Sequence, residues 1–178
     1  PFADAMALSA MRLIWPNLPL ACADPGNRAA REALMLGALQ GGIAFSNSSV
    51  ALVHGMSRPI GAHFHVAHGL SNAMLMPLVT AWSAPAAVPR YADCARAMGV
   101  AADGESDQAA VGRLVEALEQ ANADLSVPSP RAYGIERERW EALVPIMAAQ
   151  ALASGSPANN PRVPTQEEIE ALYLQAWN

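Results

Sequence analysis

The sequence predicts an all-α fold. Apolar residues recur at helical spacing along most of the chain, and no stretch alternates cleanly with a period of two. Residues that start and stop helices fall between these stretches. No repeat or low-complexity tract breaks the series. A chain of 178 residues reads as a single all-helical domain over residues 1–178, and at this size can bury roughly 70% of its unfolded surface. Roughly seven to nine helices of ordinary length account for it.

Asp4 is placed to cap a first helix, in which Met6, Leu8, Met11 and Ile14 keep a loose helical rhythm. Pro16 and Pro19 are expected to end it. Asp24 and Pro25 then read as N-cap and first position of a second helix, running from about Asn27 to Phe45 and burying Leu34, Leu36 and Leu39. Its small residues Gly37, Ala38, Gly41, Gly42 and Ala44 suit close helix–helix packing. Asn47 is placed to cap a short helix that ends at His54, because Gly55 and Pro59 follow. An apolar helix from Gly69 to Ser83 comes next, with Pro77 inside it and Met74 and Met76 as core filler. Pro89 to Met98 is a shorter amphipathic helix closed by Gly99. Asp107 to Asp124 follows an acidic linker and turns Leu114, Val115 and Leu118 to one face, with Glu116 and Glu119 solvated. After a proline-containing connector, Glu136 to Ala153 turns Trp140, Leu143, Ile146 and Met147 inward. Thr165 with Glu168 forms a capping box for a last helix that buries Ile169, Leu172 and Trp177.

Charge and composition narrow the function. A net charge of −5 argues against a nucleic-acid surface, which needs a basic patch. No run of about 18 apolar residues is present, so no transmembrane helix is expected. No basic leader with a cleavage site opens the chain. Cys22 and Cys94 form no metal motif and read as reduced thiols of a cytoplasmic protein.

All four histidines fall between His54 and His68. That clustering has two readings. The histidines cap carbonyls at a helix end and loop, or they bind a metal or move a proton near neutral pH. His54, at the expected helix end, and His68, opening the next helix, could be brought to one point by the turn between them. Imidazoles so placed suit a divalent zinc, iron, nickel or copper. His65 and His68 are three apart and could share a helix face. Two histidines fall short of a catalytic zinc site, which keeps about three protein ligands. A hydrolase would need a carboxylate base near the cluster, and none stands there in sequence. A helical interaction module with structural histidines remains the other reading.

The run Gly41–Asn47, then Ala51-Leu52-Val53-His54-Gly55-Met56, Pro59-Ile60-Gly61-Ala62 and His68-Gly69-Leu70-Ser71-Asn72-Ala73-Met74-Leu75-Met76-Pro77 resembles the iron-containing (group III) alcohol dehydrogenases. That family's second signature has two histidines fourteen residues apart, as His54 and His68 are. The segments Pro1–Leu8, Asn160-Pro161-Arg162 and Pro164-Thr165 also resemble the family. The resemblance covers almost the whole chain. It implies the helical C-terminal domain of the fold shared with dehydroquinate synthase-like enzymes. It implies a divalent metal, Fe²⁺ or Zn²⁺, held by one Asp and three His. Of these, His54 and His68 match the last two, and the Asp and first His would lie on a helix before Pro1. NAD or NADP would be bound mainly by an N-terminal domain absent from this chain, which shows no glycine-rich phosphate turn. The substrate would be a small alcohol, or an aldehyde or ketone, and the intact enzyme a homo-oligomer. By the same resemblance, Phe45 and His63 are candidate substrate contacts and Arg58 a candidate cofactor contact. Many relatives carry a histidine where Arg58 stands, and an arginine cannot relay a proton at neutral pH. No residue of this chain is assigned a catalytic role. Glycerol dehydrogenase-like enzymes share the architecture but not this motif. Loss of the other domain should leave apolar surface open beside His54 and His68.

Overall fold

The computed structural model describes residues 1–178. It contains eight α-helices and no strand: α1 (Phe2–Ala23), α2 (Arg28–Ser48), α3 (Leu52–Phe64), α4 (His68–Ser83), α5 (Val88–Met98), α6 (Asp107–Asp124), α7 (Arg137–Ala153) and α8 (Gln166–Gln175). Short 3-10 turns cover Ala84–Ala86 and Ser156–Asn159. The expected fold class and helix number stand. No single helix is long and apolar enough to cross a membrane. Contacts gather into two compact units, one of Pro1–Ser49 with Ala87–Ala117, the other of Val50–Ala86 with Leu118–Asn178.

The first unit is built on α1 packed along α2. Pro16 and Pro19 lie inside α1 and do not end it. Each costs one backbone hydrogen bond, and the packed partner helix holds the turn in place. Asp4 is not the cap. It lies in the first turn after the N-cap Pro1 and pairs with Arg90 of α5, which holds its carboxyl below the usual range. Asp24 ends α1 and accepts from the Gly26 N–H at 2.8 Å, while Asn27 caps α2 through the Ala30 N–H at 3.0 Å. The small-residue expectation for α2 holds at Gly37, where a Cβ would meet Ile14 Cγ1 at 2.6 Å. It fails at Gly41 and Gly42, where nothing is within 4 Å. Leu36 and Leu39 are not buried but 48% and 61% exposed. With Gly37 inward, helical rotation of about 100° per residue carries Leu36, one residue before it, and Leu39, two after it, away from α1. In α5, Gly99 ends the helix at φ 74°, and Arg96 bonds Asp107 at 2.8 Å, fixing the start of α6.

The second unit holds the large core. Leu52, Met56 and Ile60 of α3, Leu75 of α4, Trp140 and Met147 of α7, and Ile169 and Tyr173 of α8 are fully buried. Trp140 stands 5.8 Å from Tyr173 and 5.9 Å from Trp177, ring to ring. The Trp140 indole N–H donates to the Tyr173 carbonyl, and the Tyr173 hydroxyl donates to the Met56 carbonyl at 2.6 Å. Burial pushes the Tyr173 phenol well above its ordinary pKa. These bonds tie α3 to α7 and α8.

Helix α3 departs most from expectation. Asn47 caps nothing; it lies in the last turn of α2 and donates to the Ile43 carbonyl. No helix ends at His54. Helix α3 begins at Leu52 and continues through Gly55 and Pro59 to Phe64. Gly55 is there for packing, since a Cβ would come within 2.9 Å of Pro157. The helix ends instead at His65, in the left-handed region at φ 56°, which His tolerates better than most residues. In α4, Pro77 leaves the Ala73 carbonyl without its helical donor, and Asn122 supplies one at 2.8 Å. Met74 is buried but Met76 is 39% exposed. On α7, Ile146 is 49% exposed, and Val144, Ala148 and Ala151 are buried in its place. The capping box of Thr165 and Glu168 is present as expected. Arg162 lies over the Trp82 ring at 3.9 Å.

A candidate metal centre at two helix starts

Two residues near helix N-termini define the site. His54 is in the first turn of α3, and His68 is the first residue of α4. Their ring centroids are 5.2 Å apart with the planes at 57°. The sequence brought these two histidines together, but put His54 at the wrong end of a helix. The difference matters chemically. The positive end of the helix dipole disfavours an imidazolium, and a neutral ring is the ligating form. The His54 pKa is lowered, first by burial, then by the neighbouring His68 and Arg58 charges.

Asn72, one turn along α4 from His68, was not singled out from the sequence; its i, i+4 spacing was the available signal. Its side-chain nitrogen donates to the His68 carbonyl at 3.0 Å and stands 3.1 Å from His68 Nε2. A carbonyl oxygen only accepts, so the amide nitrogen is the group that faces it, and Nε2 is then the accepting ring nitrogen. That bond takes up the Nε2 lone pair, so an ion reaches Nε2 only by displacing the amide. The amide oxygen of Asn72 is buried without a partner.

The remaining histidines lie elsewhere. His63 is nine residues beyond His54, about two and a half turns, which puts it on the opposite side of α3. Its Nε2 bonds Gln150 of α7 at 2.9 Å. It lines a separate cleft of about 210 Å³ with Phe64, His65, Tyr133 and Arg139. There Arg139 donates to the His63 carbonyl and lies over the Phe64 ring. His65, the cap of α3, shares no helix face with His68. Phe45 is 54% exposed on α2, in the other unit. Arg58 is one turn beyond His54 on the same helix face, and donates to the Ser156 hydroxyl at 3.1 Å. The exposed large apolar residues of this unit are Met76, Tyr133, Ile146, Val163 and Leu174. None is on α3, so the apolar opening expected beside the histidines is not formed by α3.

The donor set fits a divalent ion in part. Two imidazoles stand together, and the Nε2 lone pair of one of them is taken up by the Asn72 amide. No group of three or more His, Cys, Asp or Glu side chains is assembled.

An all-α domain with paired imidazoles at two helix starts is the class this fold and site define. The chain belongs to the Fe-containing alcohol dehydrogenase family, whose C-terminal part matches residues 1–177. It is 37% identical to lactaldehyde reductase of Escherichia coli (strain K12), covering 98% of this chain and 44% of that one. It is 34% identical to the NAD-dependent methanol dehydrogenase of Bacillus methanolicus, covering 99% of this chain and 45% of that one. A solved structure of 1,3-propanediol oxidoreductase superposes with a TM-score of 0.92 at 34% identity, over 99% of this chain and 45% of that one. The chain thus spans about half the length of the curated relatives it matches.

Proposed function

We propose that this chain is the metal-holding C-terminal domain of an NAD(P)-linked oxidoreductase that interconverts an alcohol with an aldehyde or ketone. The observation that carries the reading is the pair His54 and His68, their rings 5.2 Å apart. A divalent iron or zinc bound there would supply Lewis acidity to polarise the substrate oxygen. His54 and His68 would hold the ion as neutral ligands, the Asn72 amide giving up its contact with His68 Nε2 and keeping its bond to the His68 carbonyl. One Asp and one further His, implied by the family resemblance, would complete the set from outside this chain. A bound nicotinamide would supply the hydride acceptor for the alcohol carbon, with the hydroxyl proton passing to solvent, and the reverse transfer would reduce the carbonyl. The nucleotide would bind mainly to the family's other domain. Arg58, a cofactor contact by the family resemblance, is a cation that would bind an anionic group of the cofactor or of the substrate. The intact enzyme would be a cytoplasmic homo-oligomer.

Titration with Zn²⁺ and Fe²⁺, followed by calorimetry, tests the reading. The 178-residue chain should bind either ion weakly, and His54→Ala with His68→Ala should abolish the binding. A protein of the relatives' full length should bind tightly and oxidise alcohols. Tight one-to-one binding by the short chain would show that its site is already complete. Binding unaffected by the double variant would remove these histidines from the site.

A further inference from the structure

We infer that Arg58 makes this site selective for a substrate that carries a carboxylate or similar anionic group besides its reacting hydroxyl or carbonyl. The inference rests on the metal-site reading above and adds the substrate's charge to it. Arg58 follows His54 by four residues on α3, so the two side chains leave one helix face with Cβ atoms about 5–6 Å apart. Arg58 is exposed, and no carboxylate of the chain pairs with it, whereas Arg28, Arg90, Arg96, Arg113, Arg137 and Arg162 each have an acidic partner.

Its one bond goes to a built anchor. Ser156 is only 5% exposed and accepts from Arg58 Nη1 at 3.1 Å. Ser156 opens the 3-10 turn whose Pro157 packs on Gly55, about one helical turn before Arg58. The same turn is tied to the start of the second unit by Asn159, which donates to the Val50 carbonyl at 3.0 Å. A guanidinium has five N–H donors. The anchor uses one and leaves the others free. A cation fixed at one edge, unpaired at the other, and one turn from an ion-binding histidine is suited to the second end of a bifunctional ligand. Charge-assisted bonds of this kind change affinity by about 10- to 100-fold.

The test uses the metal-loaded protein at its full natural length. Turnover of 4-hydroxybutyrate is compared with that of neutral 1,4-butanediol, and binding of succinate is measured by calorimetry without cofactor. Arg58→Gln should lower the carboxylate-to-neutral ratio of kcat/KM at least about tenfold and weaken succinate equally, whereas Arg58→Lys should keep part of both. Several outcomes would overturn the inference. The ratio could stay constant while the KM for NAD or NADP rises, which would give Arg58 to a cofactor phosphate. Only the melting temperature could move, which would leave it a staple to the Ser156 turn. The wild type could prefer the neutral diol. If neither alcohol turns over, the proposed dehydrogenase function fails, while the succinate titration still reads Arg58 by itself.

Discussion

At the scale of single residues, the site is governed by charge. His54 sits near a helix start, partly buried, beside a second histidine and an arginine, and all of these oppose its protonation. Its folded pKa therefore lies below the unfolded value of about 6.5. The unfolded chain takes up the proton first as pH falls, so folding is weakened on the acid side of that value and unaffected well above it. The metal-free chain should melt at a lower temperature at about pH 5 than at about pH 8, and His54→Asn should lessen that acid loss. A wild-type melting temperature that is flat over this range, or an unchanged slope in the variant, would contradict the assignment.

At the scale of elements, helix α4 survives an internal proline because another helix completes it. Asn122 gives the Ala73 carbonyl the hydrogen bond that Pro77 cannot. Asn122→Ala should cost about 1–2 kcal/mol. In a Pro77→Ala background, where the backbone N–H returns, the same change should cost clearly less. Denaturant melts of the four-member cycle measure this, and strict additivity would count against the compensation.

This pairing also shows what the sequence could and could not reveal. Local chemistry was readable: the capping box of Thr165 and Glu168 and the start of α4 at His68 lie where the residues put them. The meeting of His54 with His68 was readable from their spacing. The error at α3 arose because Gly55 and Pro59 are helix breakers by propensity, and only the packing of Pro157 on Gly55 explains why the chain needs a glycine inside a helix there. Asn122, Asn72 and Ser156 act across the fold or along a helix face, so pattern and propensity alone did not single them out.

At the scale of the whole molecule, the two units are built from unlike material. The first buries mostly alanines, with Val111 and Leu114 its only larger buried aliphatic side chains. The second holds the entire cluster of Leu, Ile, Met, Trp and Tyr side chains. Burial of larger side chains stabilises by about 1.5–3 kcal/mol each, so the first unit should open more readily. Amide exchange should show faster exchange in α1 and α2 than in α3 and α7. Equal protection in all four helices would contradict this. The tryptophans divide the same way. Trp15 is the one indole of the first unit, while Trp82, Trp140 and Trp177 belong to the second. The arginine stacked on Trp82 and the enclosure of Trp140 make that second group a set of optical probes with distinct surroundings. Replacing Trp15 with Phe would leave an emission spectrum that reports on the histidine-bearing unit alone, so the unfolding of that unit could be followed by light without any added dye.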